Sequence, residues 1–233
     1  LMTLPRLGRA PELDGKLGEK EWVGATGVTG FITTSRWLAE QQMQVRAAYD
    51  DTHLYFAFES YSATGMKADV KERDGSVWSD DAFEIFLQPG GAGEPYYHFV
   101  GNAAGTRYDA RGQSSGWDAD WELACHREYD EYFVAETWTA EVAIPFTSIN
   151  VSGPPAPGTE WRGNICRNWS STPSGAEAHK QERYTSWGMV GDSFHDPKGF
   201  ATLVFRPDAP GVQLRNLGDL TRGYIAPSGQ LHA

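Results

Sequence analysis

The chain has 233 residues, of which 40% are hydrophobic, with 26 glycines and 13 prolines, a length and composition that fit one all-β domain with or without a tail. Twenty basic residues against 31 acidic ones leave a formal net charge of −11 at pH 7. Such a surface has no means of neutralising phosphates, which excludes nucleic acid and anionic membrane surfaces as partners. No apolar run is long enough to span a membrane.

Nine Trp, ten Tyr and eleven Phe exceed what a core of this size needs, so some are candidates for ligand contact. Cys125 and Cys166 form neither a CxxC pair nor a metal cluster. They read either as one disulfide of a secreted domain or as two buried thiols.

In chain order, residues 1–13 read as an extended lead-in punctuated by Pro5 and Pro11. Asp14-Gly15 marks a turn, and one helical turn after Gly18 would lay Trp22 on the core. The stretch from Thr26 to Arg36 is a short strand or loop. Met43, Val45, Ala47 and Tyr49 alternate, Asp50-Asp51-Thr52-His53 turns, and Leu54, Phe56 and Phe58 alternate again, which predicts a β-hairpin. Ser62 to Ser79 is a long polar loop that delivers the chain to Trp78.

The next strand alternates cleanly. Phe83, Ile85 and Leu87 fall on one face, while Ala82, Glu84 and Phe86 fall on the other. Glu84 therefore leaves the core, and Trp78 stands at the strand's mouth. Polar residues precede Trp78 and the core face begins only at Phe83, which favours ligand contact for this Trp over packing onto the core. For Glu84, alternation alone favours a solvated residue paired across the strand.

Strands follow at Tyr96 to Val100, Thr106 to Ala110, Glu122 to His126, Glu136 to Ile144, Trp161 to Trp169 and Phe200 to Phe205. Trp117 and Trp121, straddling Asp118 and Asp120, read as a packed loop. Arg162, Asn164, Cys166 and Asn168 share one side of their strand. Ser170 to Ser186 is a second long loop, which ends at Trp187. Ser186 and Gly188 leave that Trp free to face either way. Residues 1–206 thus form one domain, and 207–233 read as an extension or linker. Short strands with Gly, Pro and Asp turns, and no helix longer than a turn or two, predict an all-β antiparallel sandwich of jelly-roll or immunoglobulin-like type.

Several ordered elements resemble the family 9 carbohydrate-binding modules over residues 10 to 206. They are Leu13-Asp14-Gly15 with Glu19 and Trp22, Val45 to Phe58, Arg73-Asp74 before Trp78, and Asp80 through Phe86. Asn102 with Gly105 and Asp109 follows, then Glu141 through Phe146, and finally Trp187 with Phe194-His195-Asp196-Pro197 and Phe200.

The resemblance implies a non-catalytic sandwich, secreted or at the cell surface, often joined to a catalytic domain in the same parent chain. It also implies a carbohydrate ligand held between two Trp side chains, with calcium as a structural ion. By position, Trp78 resembles the first sandwich Trp and Trp187 the second. Glu84 and Arg107 resemble the hydroxyl-binding carboxylate and guanidinium; a small register shift would put Arg111 in Arg107's place. The family's amide just before the second Trp has no clear counterpart, with Gln181 and Tyr184 nearby.

Indole faces suit the C–H faces of a pyranose, and carboxylate or guanidinium groups suit its vicinal hydroxyls. Asp74, Asp80 and Asp81 are the candidate calcium ligands, although no stretch follows the EF-hand pattern. No HExxH or phosphate loop is present, which argues against an enzyme. Two other readings stand beside this one. In the first, a haem-binding electron-transfer sandwich takes axial ligands from Met43, Met66, Met189 or His98. In the second, a structural accessory domain has lost its sugar site.

Overall fold

The computed structural model describes residues 1–18, 20–39, 41–62, 65–130, 135–171 and 183–209, with two short strands beyond them. Glu19 and Gln181 lie outside these residues, as does most of the proposed 207–233 extension. The strands are β1 (Met2–Leu4), β2 (Thr26–Val28), β3 (Ile32–Thr33), β4 (Gln44–Tyr49), β5 (His53–Ser62), β6 (Ala82–Gln88), β7 (Tyr97–Asn102) and β8 (Arg107–Arg111). They continue with β9 (Glu122–Asp130), β10 (Ala135–Pro145), β11 (Glu160–Asn168), β12 (Tyr184–Ser186), β13 (Ala201–Phe205) and the pair β14 (Tyr224–Ile225) and β15 (Leu231–His232). Single 3-10 turns occupy Val77–Ser79, Phe146–Ile149 and Pro197–Gly199. No helix among the described residues is long and apolar enough to cross a membrane.

Two sheets pack face to face as the alternation predicts. One runs β1-β13-β11-β6-β7-β8, with β12 beside β11 and β3 beside β12. The other runs β2-β4-β5-β10-β9. Their inner faces carry Val45, Ala47, Phe56, Phe58, Ala140 and Val142 from one side and Phe83, Ile85, Leu87, Phe99 and Ile165 from the other. Phe58 and Phe83 stack across the sandwich with ring centroids 4.0 Å apart and planes 5° from parallel.

The lead-in is itself a strand. Met2, Thr3 and Leu4 pair in parallel with Leu203, Val204 and Phe205. A run of three residues is too short for alternation to reveal, and its partner stands about 200 residues away. The strand at 184–186 is equally short and hidden at the end of a polar stretch. Cys125 on β9 and Cys166 on β11 belong to different sheets and remain thiols, so the disulfide alternative does not hold. Burial pushes the Cys125 thiol up to about 12, against a smaller opposing pull from a backbone hydrogen bond of Gly105.

The outer face of the five-stranded sheet is closed by the Leu13-Asp14-Gly15 turn and Trp22. Glu141 on β10 is buried there and accepts from Trp22 Nε1 at 2.9 Å, Gly15 N at 2.9 Å and Asp14 N at 3.1 Å. Gly15 has φ +82°, and a Cβ there would stand 2.5 Å from the Cys125 carbonyl carbon, so this turn requires glycine. The part of that face around Glu141 is therefore covered. Phe83→Ala should cost about 3–5 kcal/mol of stability by opening a cavity at the centre of the core, which urea unfolding would measure.

Candidate functional site

The outer face of the eight-stranded sheet is set by register. Glu84 lies opposite Cys166 on β11 and Val100 on β7, and Val100 lies opposite Tyr108 on β8. Asn168 lies opposite Tyr184 on β12. Directly paired residues point to the same face. Glu84, His98, Tyr108, Asn168 and Tyr184 therefore gather on one surface, although they come from five different strands.

These residues floor a pocket of about 310 Å³. Trp78 walls it from the Val77–Ser79 turn, and Thr34 reaches it from the turn after β3. Asp192, Ser193, Phe194 and His195 supply the remaining wall. No lysine or arginine is among the described lining residues.

Glu84 is the centre of the floor. It is only 4% exposed, and its two carboxylate oxygens have separate partners. His98 Nε2 lies 2.6 Å from Oε2, and Asn168 Nδ2 donates to Oε1 at 2.6 Å. Burial pushes this carboxyl up. The hydrogen bond and charge of His98, the Asn168 bond and the nearby His195 outweigh it, and the net shift is downward. His98 is held in turn. Its ring lies flat on Phe86 at 4.2 Å, with the His195 ring edge-on at 5.0 Å. His195 is fixed through Nδ1, 2.8 Å from the Tyr96 hydroxyl, and burial together with His98 lowers its pKa despite an opposing pull from Glu84.

The aromatic walls are wetter. Trp78 is 42% exposed and Tyr184 is 43% exposed. Trp78 is braced edge-on against Tyr108 at 5.0 Å, and Tyr184 against Phe194 at 6.1 Å. One stands on the β8 side of the floor and the other on the β12 side. Both present ring surface to a ligand without needing to rearrange.

Trp78 and Glu84 are thus brought together, while Arg107 and Trp187 are not. Arg107 lies opposite Gly101, one residue out of phase with Tyr108, and so turns to the other face. Its guanidinium sits 5.6 Å from the Trp121 ring centroid and donates to the Trp121 carbonyl. Arg111 shares that phase and sits over Tyr97 instead. Trp187 follows Ser186, which lies opposite Cys166 on the outer face. Alternation turns Trp187 inward, where it packs against the core and its backbone N donates to Ile165 O at 2.8 Å. The aromatic ring offered on that side is Tyr184.

Asn168, Tyr108 and His195 are not marked as site residues by the sequence, and His98 is marked only as a haem ligand. The available signal is strand phase, which places Asn168 on one side of its strand but identifies a shared face only once the pairing partners are known.

Asp74, Asp80 and Asp81 do not converge as a metal-binding set. Asp81 accepts from the backbone N of Lys67 at 2.7 Å, Ser170 at 2.7 Å and Ser171 at 3.1 Å. Asp80 accepts from Val70 N at 2.8 Å and Asn102 Nδ2 at 2.9 Å, with Lys67 Nζ 3.8 Å from its other oxygen. Asp74 lies 3.4 Å from Arg73 Nε. Calcium takes six to eight oxygens, roughly, in one shell. Here the carboxylates are occupied by N–H groups and beside cationic side chains, and no group of three or more His, Cys, Asp or Glu among the described residues could hold a metal. Their work is to pin the 65–81 segment that carries Trp78. The haem ligands fare no better as a set, since Met43 is buried in the inter-sheet core, His98 lies on the outer face and Met189 is 62% exposed.

The sequence model of a family described as carbohydrate family 9 binding domain-like matches residues 13–206. No curated protein matches the chain. Several solved structures share the fold. The "putative carbohydrate-binding protein" of Bacteroides uniformis ATCC 8492 superposes with a TM-score of 0.64 at 18% identity, covering 88% of this chain and 98% of that one. A family 9 carbohydrate-binding module from Caldicellulosiruptor kristjanssonii in complex with glucose gives 0.60 at 13% identity, covering 91% and 98%. One in complex with cellotriose gives 0.57 at 15% identity, covering 89% and 94%.

A carboxyl with a lowered folded-state pKa stabilises the fold above its unfolded value, near 4.3, and loses that contribution as pH falls through the folded value. The stability advantage of the wild type over Glu84→Gln should therefore be present at pH 7. It should shrink only once the pH drops below the usual glutamate range. Urea unfolding of both proteins across that range checks it; an advantage that grows on acidification would contradict the assignment.

Proposed function

The chain belongs to the carbohydrate family 9 binding domain-like family, and from that premise we propose that it binds a neutral sugar in the Glu84 pocket without transforming it. The observation that carries this reading is the combination of exposed rings on two sides with a buried, ionised carboxylate on the floor. A pyranose has C–H faces for Trp78 and Tyr184, each contact worth on the order of 1–2 kcal/mol. Its hydroxyls can donate to Glu84 and accept from Asn168 or a pocket histidine.

Charge supports the neutral class. Glu84 and Asp192 both line the pocket, without a lysine or arginine among its described residues, so a uronate or sulfated sugar would meet like charge with only the two histidines to offset it. Non-catalytic binding is supported by the state of Glu84, which is held ionised and already bonded on both oxygens. Residence at the cell surface or outside it and attachment to a catalytic domain in the same parent chain belong to this proposal; the pocket requires neither.

Calorimetric titration against neutral mono- and oligosaccharides, including glucose and cellotriose, is the direct test. Trp78→Ala should abolish binding with the fold intact by circular dichroism, and a variant that binds like the parent would place the site elsewhere. Glu84→Gln should weaken binding by about 1–3 kcal/mol, because a charged acceptor becomes a neutral amide. Unchanged affinity would reduce Glu84 to a structural role.

A further inference from the structure

One wall of the pocket is a histidine that is packed on one side and wet on the other. Phe86 meets the His195 ring edge-on at 5.3 Å and His98 does so at 5.0 Å, while Nδ1 lies 2.8 Å from the Tyr96 hydroxyl. The remaining side lines the pocket and is open to water. The loop that carries the ring is braced by its own polar groups. His195 N donates to Ser193 Oγ at 3.1 Å, and the Asp196 carboxylate accepts from Gly191 N and Lys198 N, both at 3.2 Å. Nothing in that bracing depends on the charge of the imidazole.

The titratable groups that face this ring come from several elements. Glu84 stands on β6, Tyr96 and His98 precede and occupy β7, and Tyr108 on β8 and Tyr184 on β12 line the same pocket. Asp192 and Asp196 belong to the loop itself, and Lys198 is exposed on the turn that follows. The nearest carboxylates are already engaged, Glu84 by His98 and Asn168 and Asp196 by backbone N–H groups. The pull of Glu84 on His195 is outweighed by burial and by His98, which hold its pKa below the usual histidine value.

We propose that sugar binding is coupled to the protonation of His195, so that the pocket holds its ligand while this ring is neutral and releases it on acidification. The inference rests on the pocket reading. A sugar seated over Glu84 displaces the water on the open side of His195. A neutral imidazole exchanges that water for a sugar hydroxyl at little cost. An imidazolium would lose hydration that a neutral ligand replaces only in part, with a second histidine 5.0 Å away. Binding and protonation therefore oppose each other.

The test measures affinity by calorimetry between pH 7.5 and 5.0 for glucose, galactose, mannose, xylose and cellotriose, with near-ultraviolet circular dichroism to confirm the fold at each pH. Glu84 stays ionised across this range, since its carboxyl is held below the usual glutamate value, about 4.3. The wild type should weaken roughly three- to tenfold at pH 5.0, tenfold being the limit if the ligand lowers the histidine by one unit. His195→Gln, whatever its affinity at pH 7.5, should show a flat profile. Imidazole signals followed by nuclear magnetic resonance should show His195 titrating at lower pH in the sugar-saturated protein than in the free one. A flat or rising wild-type profile overturns the coupling and leaves the pocket reading standing. So does a His195→Gln variant that keeps the wild-type loss, or a ligand-induced shift confined to His98. If the wild type binds none of these sugars at any pH, both readings fall.

Discussion

A carboxylate removed from water is costly unless hydrogen bonds and opposite charge replace its hydration. Glu84 is such a group, and the surface around it follows from meeting that demand. One oxygen is satisfied by Asn168 from β11 and the other by His98 from β7. Both partners must lie on neighbouring strands and on the same face, which fixes the order β11-β6-β7 over the floor of the pocket. His98 then needs its own support, and Phe86 and His195 supply it. The 192–195 wall is placed by that contact, and the pocket acquires its depth.

Acidic residues elsewhere divide the work. Asp80 and Asp81 hold the long segment that brings Trp78 to the rim, and Glu141 clamps the first turn and Trp22 over the opposite sheet. In each case a buried carboxylate accepts N–H groups that an irregular segment would otherwise leave unpaired. The acidic composition is therefore partly a structural device. The described pocket lining holds no lysine or arginine, which favours a neutral ligand.

Much of the fold was legible in the sequence because alternation reports burial directly. The hairpin around Asp50, the strand through Glu84 and the strand ending at Pro145 all show it. Strands of three residues, at 2–4 and 184–186, were not legible, since so short a segment carries no period and gains its stability from distant partners. The site was half legible. Trp78 and Glu84 were visible from local pattern and family resemblance. Tyr184, Asn168 and His98 required the register between strands. Trp187 and Arg107 were misplaced by a single step of phase, which is enough to move a side chain to the other side of a sheet.

The central claim is that a ligand sits on the outer face of the eight-stranded sheet, between the Trp78 and Tyr184 sides and over Glu84. Nuclear magnetic resonance titration of the indole N–H and imidazole signals with a bound sugar tests this most directly. The account predicts that the Trp78 and His98 signals move with saturating sugar, while those of Trp187, Trp22 and Trp121 stay in place. Movement confined to Trp187, with Trp78 unaffected, would contradict it.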